Sequence, residues 1–425
     1  MINGILLIYN QPVRRNASTI PEHVNSFQAH SRFKVWNVNT YLGFPKNLNK
    51  LRFKTVVLHY SLFGWKEYPL DNNYLAYLEH CQDSHKIAFF QDEYSWCRKR
   101  FDFINKYGIN CIYSLLEPEY FKDVYQKYTK VKKIYTCIPG YVSDELLQHS
   151  RRYFINYEDR TVDVGYRGRE LPFYMGEAAQ EKTEIARIFA GLAQKEKLKL
   201  DLGTKEGARL YGSKWYSFLA NCKAVLGVEA GVSVFDLEDE VLHEYEKLMA
   251  TRLLQKYSEF KEKARAVLDR WENRIFYRTI SPRHFEAAAF KNCQLLFAGK
   301  YSGIMNPMKH YLPLKKDFSN IKEILSLLKN EEFCRQLTDN AYRDLIASGK
   351  YSYRQFMEGF DNALLAAGLT PEISPAEAHN ITRLLAGDKV WRMVEGYLKF
   401  VKNTPFPGRK IIADVAKKLI VKTAN

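Results

Sequence analysis

The chain has no G-x-G-x-x-G fingerprint and no G-x-x-x-x-G-K-[ST] run. This argues against dinucleotide-binding dehydrogenases and P-loop enzymes, which use those glycines to bring backbone N–H groups onto phosphate. Its seven cysteines, at 81, 97, 111, 137, 222, 293 and 334, include no C-x-x-C pair and no clustering with histidine. Neither a disulfide framework nor a zinc site follows, and buried thiols are the expectation. No run of about 18 apolar residues is present. The apolar part of MINGILLIYNQP is too short for a signal peptide and lacks a small-residue cleavage site. A soluble, cytoplasmic protein is expected. No repeat or low-complexity segment stands out, which leaves solenoids and arrays without support.

What is present is a chain of 425 residues with 46% hydrophobic content. That is enough for two cores, since single cores stop growing near roughly 250 to 300 residues. The net charge of +16 asks for nucleic acid, anionic lipid or a phosphate-bearing substrate. No recognised nucleic-acid-binding module accompanies it, so no nucleic-acid partner is expected. From Trp391 to Asn425 eight Lys/Arg stand against two acids, with apolar residues interleaved at helical spacing. This reads either as a basic helical tail lying on an anionic membrane surface, at the inner face of the cell membrane, or as a terminal helix packed on the body.

Short apolar runs at Gly4 to Tyr9, Lys54 to His59, Lys86 to Phe90, Ile109 to Ser114 and Lys133 to Cys137 alternate with helical stretches. After the polar segment Gln148 to Asp159 the rhythm repeats at Val162 to Tyr166, Leu198 to Leu202, Ala224 to Val228, Gln294 to Phe297 and Tyr311 to Leu314. Buried strands alternating with helices predict an α/β protein with parallel sheets. The expected division is 1–155, 156–370 and a tail over 371–425. Apolar residues three and four apart from Asp236 to Ile275 predict a long helix or helical hairpin inserted in the second unit.

Ligands of open parallel sheets sit beyond the carboxyl ends of the strands. In the second unit that rule selects the loop with Arg167, Gly168 and Arg169, the loop with Glu229, Gly231 and Ser233, and the loop with Tyr301, Ser302, Gly303 and His310. Two cations around a glycine suit a phosphate-bearing ligand, and small residues and hydroxyls supply further donors. In the first unit it selects the loops holding His59, Asp92 and Glu93. The stretch ISPRHFEAAAF adds a helix start, with Ser281 as cap and Pro282 in the first turn. Glu286 there is either a dipole-stabilised partner of Arg283 or a ligand-binding carboxylate.

The run SPRHFEAAAFKNCQLLFAGKYSGIMNPMKHYLPLKKDFSNIKEILSLL, with AYRDLIASGKYSYRQFMEGF after it, resembles the C-terminal half of group 1 glycosyltransferases of the GT-B fold. Among these it is most similar to the spore-maturation-protein-like branch. Over Ile280 to Phe360 the likeness is strong; upstream, through VDVGYRGRELP, FLANCKAVLGVEAGVSVFD and KIAFFQDEYSW, it is looser. The resemblance implies two Rossmann-like domains facing a central cleft, with a nucleotide-sugar donor in the second and an acceptor in the first. It implies that Glu286 receives the ribose hydroxyls, with Arg283, Arg167 and Arg169 toward the diphosphate and His284 and His310 on the donor side. Many retaining members carry an E-x7-E pair, but Arg278 stands eight residues before Glu286. Glu229 is then the substitute for the missing glutamate.

Inverting transfer needs a base for the acceptor hydroxyl, and Asp92 is favoured over His59 and Glu93. No D-x-D is placed so as to compel a metal, so metal-independent transfer without a cofactor is expected. The reading is a glycosyltransferase acting on a glycan or lipid-linked acceptor in cell-surface polysaccharide or glycoconjugate synthesis. A nucleotide or carbohydrate-binding protein that keeps the scaffold without turnover is the alternative.

Overall fold

The structure, a computed structural model, describes residues 1–12, 18–64, 66–251 and 254–387. The basic segment from Trp391 onward lies outside the described residues. Six parallel strands form a first sheet: β1 (Ile2–Tyr9), β2 (Val35–Asn39), β3 (Phe53–Leu58), β4 (His85–Phe89), β5 (Cys111–Ser114) and β6 (Lys133–Thr136). They lie in the order β2-β1-β3-β4-β5-β6. The second sheet uses β7 (Val162–Arg167), β8 (Leu200–Gly203), β9 (Cys222–Gly227), β12 (Cys293–Phe297) and β13 (Leu312–Leu314), ordered β13-β12-β9-β7-β8. Both sheets thus share one topology: the first strand lies between the second and the third, so strand order reverses there. That switch point, β1/β3 in one sheet and β7/β9 in the other, is where helices diverge and a crevice opens.

The central strands β3, β4, β9 and β12 are buried on both faces and read as near-continuous apolar runs, as parallel strands covered by helices must. All seven cysteines are free and buried, as the scattered spacing implies. The architecture is the expected one: two Rossmann-like α/β units facing a cleft, the GT-B arrangement.

The expected insertion takes a different form. β10 (Ala230–Val234) and β11 (Glu272–Thr279) pair as an antiparallel ribbon enclosing three short helices, Glu240–Ala250, Tyr257–Lys263 and Arg265–Trp271. Apolar spacing of three and four runs through Ile275 because the helical face and the inward face of β11 feed one core. That core is shared with the first sheet: Val232, Phe235, Val241, Phe260 and Tyr277 belong to the same buried cluster as Leu6, Val56 and Phe90. The chain also returns at its end, where Met357, Phe360 and Leu364 of helix Tyr353–Ala366 pack with Ile5 and Leu7 of the first sheet's other face and with Phe27 of helix Thr19–His30. Residues of the 156–370 segment therefore contribute to both cores. Among the described residues no helix is long and apolar enough to cross a membrane.

Candidate active site

The carboxyl ends of both sheets face a single cleft of about 930 Å³. Asn10, Tyr60, Ser61, Gln91 and Asp92 line it from the ends of β1, β3 and β4; Arg167, Gly168, Gly227 and Glu229 line it from the ends of β7 and β9. The start of helix Pro282–Ala289 closes the wall with Ser281, Arg283 and His284.

On the first-domain side the turn after β4 has two fates for two adjacent acids. Asp92, at φ 52°, turns its exposed carboxylate into the cleft, where no hydrogen bond from the described residues reaches it. Enclosure by the cleft walls raises its pKa, against a downward pull from Lys182, Arg169 and Arg100. Glu93 points the other way and is fully buried. It accepts from Ser114 Oγ at 2.9 Å, the Leu115 N–H at 2.7 Å and Tyr277 Oη at 3.3 Å, and also from Tyr125 Oη. A carboxylate saturated by four remote groups fixes the turn and does not serve as a base. His59 is likewise withdrawn: it is wholly buried, its Nδ1 accepts the Ser61 N–H at 3.1 Å, and its Nε2 meets His23 Nδ1 at 2.9 Å. Burial, then the neighbouring His23, holds its pKa well below the ordinary imidazole range. Of the three expected bases only Asp92 faces the cleft.

On the second-domain side Arg167 reaches the wall but is committed. Its Nη2 donates to both oxygens of Asp201 at 2.8 Å and its guanidinium lies 4.2 Å from the Phe218 ring. Gly168 is obligatory, because a Cβ there would stand 2.7 Å from the Lys182 carbonyl oxygen and from the Tyr166 ring. Arg169 is exposed in the cleft, in the field of Asp92. Lys182, which strand-end reasoning did not single out, enters from helix Glu177–Ala193 and completes the cluster. Its pKa falls to about 8, through burial first and then through Arg169 and Arg283, with Asp92 opposing. Its only sequence signal is a position five residues into the helix that follows the R-G-R loop.

Arg283 donates to the Arg167 carbonyl and stacks over Trp215 at 5.4 Å. His284 closes a capping box, its Nδ1 accepting the Ser281 N–H at 2.9 Å. Burial lowers its pKa to about 3, so the ring is neutral and the proton sits on Nε2. Glu286 lies one turn farther, at the rim and outside the cleft lining, where its Oε2 accepts from Trp215 Nε1 at 2.9 Å. Burial raises its pKa, with Arg283 and the Trp215 bond acting against that.

Of the other expected donor residues only Glu229 comes to the cleft. Gly231 is a ribbon residue at φ 102°, where a Cβ would lie 2.0 Å from the Tyr277 carbonyl oxygen. Ser233 Oγ accepts the Ala178 N–H at 3.0 Å and donates to Glu272 at 3.0 Å. Tyr301 is buried, its hydroxyl donating to the Phe297 carbonyl at 2.6 Å, and Ser302 bonds Thr279 at 2.8 Å. Gly303 turns the chain at φ 68°. His310 is buried between the Asn306 N–H and Asp344, at 3.1 Å from each. Each of these polar groups is spent on protein. Glu229 does line the cleft, and its Oε1 accepts the Tyr301 N–H at 2.7 Å. Arg278 pairs with the buried Glu181 at 3.1 Å, and Lys316 joins them at 2.6 Å. Among the described residues no group of three or more His, Cys, Asp or Glu side chains is placed to hold a metal ion.

No protein-family model matches the chain. No curated protein matches it either. Among solved structures it is similar to Anabaena HepE in complex with UDP and glucose, at TM-score 0.46 and 7% identity over 86% of this chain and 100% of that one. It is similar to sucrose-phosphate synthase from Thermosynechococcus elongatus at TM-score 0.39 and 11% identity, covering 74% of each chain. With TarM the TM-score is 0.36 and the identity 12% over 72% of this chain, which spans only about half, 54%, of the TarM chain. These are distant likenesses of architecture, and the fold rests on the chain's own two sheets.

Proposed function

We propose that the protein is a glycosyltransferase that moves a sugar from a nucleoside diphosphate donor to a hydroxyl acceptor. One observation carries this reading: a carboxylate from the first domain, Asp92, faces two cations of the second, Lys182 and Arg169, across one water-accessible cleft that Arg283 also lines. Glycosyl transfer needs those two functions opposite one another. Cations and the 282–289 helix start meet the charge that develops on the departing diphosphate, and a carboxylate of raised pKa takes the acceptor proton. Glu286 at the rim is suited to the ribose hydroxyls, and His284 Nε2–H can donate to a ligand oxygen. Because the cations already supply the countercharge, transfer is expected to proceed without a metal ion. Membership of the spore-maturation-protein-like branch rests on the run from Ile280 to Phe360. A role in cell-surface glycan synthesis, a lipid-linked acceptor and membrane docking by the basic tail belong to the same proposal.

The test is a thermal-shift panel of the full chain with UDP, GDP, CMP, dTDP, ADP and their sugar conjugates, since a ligand bound only by the folded state raises the midpoint. A selective shift that disappears in Lys182→Ala supports the donor site, and no shift with any nucleotide overturns it. The Arg278–Glu181 pair favours a second reading, binding without turnover, because it fills with a locked cation a position where many retaining members have a glutamate. Slow hydrolysis of any nucleotide-sugar by the purified protein eliminates that alternative.

A further inference from the structure

We propose that the first-domain end of the cleft is an acceptor subsite for a sugar ring, which stacks on Trp96 and presents its hydroxyl to Asp92. The inference rests on the glycosyl-transfer reading and specifies what that site accepts: a glycan end.

The turn 91–96 is the first reason. Two of its cleft-lining residues, Asp92 and Trp96, adopt left-handed backbone, at φ 52° and 56°. A bulky aromatic is seldom found there and stays only where its surroundings over-determine it. Here they do: Asp239 Oδ1 accepts the Trp96 N–H at 2.6 Å, and buried Arg100 donates to the Glu93 and Ser95 carbonyls at 2.7 and 2.9 Å. Glu93 anchors the middle of the turn from beneath. The chain thus dedicates several buried polar groups to holding one indole at the cleft wall.

The second reason is the character of that wall. Trp96, Tyr94 and Tyr174 are part-exposed rings that alternate with Ser61, Gln91 and Ser95. Lys66 Nζ stands 5.3 Å from the indole centre, on a flexible stem an entering ring can displace. Ring faces are electron-rich and attract polarised C–H groups. A pyranose offers a C–H face to such a platform and a rim of hydroxyls to the Asp92 carboxylate and to the amide oxygen of Gln91, whose Nε2 is already given to the Pro139 carbonyl at 3.1 Å. A prenyl chain has no use for the polar rim.

The third reason is proximity within the cleft. Asp92 lies in the field of Lys182 and Arg169 and acts on Tyr94 and Tyr174, and all five line the same cleft. An acceptor hydroxyl held at Asp92 then shares the cleft with a diphosphate held by those cations and can reach the carbon joined to it. The acceptor oxygen bonds to that carbon while the carbon–diphosphate oxygen bond breaks. The bonding pair leaves on the diphosphate toward the cations, and the hydroxyl proton ends on Asp92.

Saturation-transfer NMR on the full chain tests this, with the stabilising nucleotide bound and the methyl glycosides of glucose, galactose, mannose and N-acetylglucosamine as probes. Wild type, Trp96→Phe and Trp96→Asn are compared, asparagine being chosen because it tolerates left-handed backbone. One glycoside should receive saturation on the protons of one ring face in wild type and Trp96→Phe. In Trp96→Asn its affinity should fall about tenfold, with thermal midpoint and nucleotide shift unchanged. Equal transfer in Trp96→Asn, or none in wild type with nucleotide bound, overturns the subsite alone. A wild type that binds no nucleotide removes the glycosyl-transfer reading and this inference with it.

Discussion

Lys182 is held in conflict with its surroundings: it is mostly enclosed, beside Arg169 and Arg283, and its pKa drops to about 8 from 10.5. A depressed lysine pKa means the folded chain gives up a proton that the unfolded chain still holds between those two values. Stability therefore carries a constant penalty below pH 8 that is relieved as pH rises toward 10.5. Lys182→Met should raise the thermal midpoint at pH 7, with the gain over wild type closing by about pH 10.5. The same variant should bind the nucleoside diphosphate at least about tenfold more weakly, since one charge-assisted bond is worth roughly 1.5–3 kcal/mol. Calorimetric titration beside a melting curve reads both, and a loss of stability together with affinity would make Lys182 a packing residue. Wild-type affinity should also decline above about pH 8 as the ammonium is lost. The adjacent acids of the 91–96 turn give the complementary contrast. Asp92→Asn should melt at or above wild type near pH 7, since it removes a carboxylate whose pKa the fold raises, and should abolish transfer, whereas Glu93→Ala strands the buried donors from Ser114, Leu115, Tyr125 and Tyr277 and should cost about 3–5 kcal/mol in denaturant melts.

At the scale of elements, the β10–β11 ribbon ties the helical insertion to the first sheet's core. Its closest approach is at Gly231, where a methyl group would lie 2.0 Å from the Tyr277 carbonyl oxygen and φ is 102°. Gly231→Ala must move backbone as well as adopt a disfavoured conformation. It should destabilise by several kcal/mol, about 3 or more, and chemical denaturation against Gly303→Ala, an open turn position, provides the control. This ribbon was also the least legible part of the sequence. Ten of the eleven strands of the two sheets are apolar runs bounded by turns and stand out within a residue or two. β2, VWNVN, is broken by Asn37 and Asn39, and the second serves the adjoining turn, where its Oδ1 accepts the Gln11 and Tyr41 N–H groups. β11 continues the helical spacing of the segment before it, so period alone could not end the helix. The site divides the same way. Strand-end position found Asp92, Arg169 and Glu229, and a cap signal found Arg283 and His284. Burial decided against His59, Glu93, Tyr301 and His310, and their partners come from segments distant in sequence or folded on to them, which no local pattern discloses. Lys182 escaped because it lies inside a helix and not on a strand-end loop.

At the scale of the whole molecule the two domains meet along carboxylates as well as across the cleft. Glu22, on helix Thr19–His30 of the first domain, feels Glu286, on helix Pro282–Ala289 of the second, and Glu145, on helix Asp144–Arg152. Burial comes first and these like charges follow; together they raise the Glu22 pKa from 4.5 to about 7, with bonds from Ser18 and Ser143 opposing. A raised acid pKa has a fixed sign: between those values the folded chain holds a proton that the unfolded chain has released, so stability falls as pH climbs from about 4.5 to about 7. Ionising Glu22 also sets two negative charges against each other between the domains, which favours their separation. Glu22→Gln keeps the size of the side chain and removes that charge. It should flatten the decline in midpoint over that interval and make the protein more compact at pH 8 by small-angle scattering, the closure a cleft enzyme needs to exclude water. If the midpoint of Glu22→Gln follows wild type through the whole interval, the carboxylates are too well solvated to couple the domains. A variant that melts higher at pH 8 yet scatters like wild type would confine Glu22 to stability and remove it from closure.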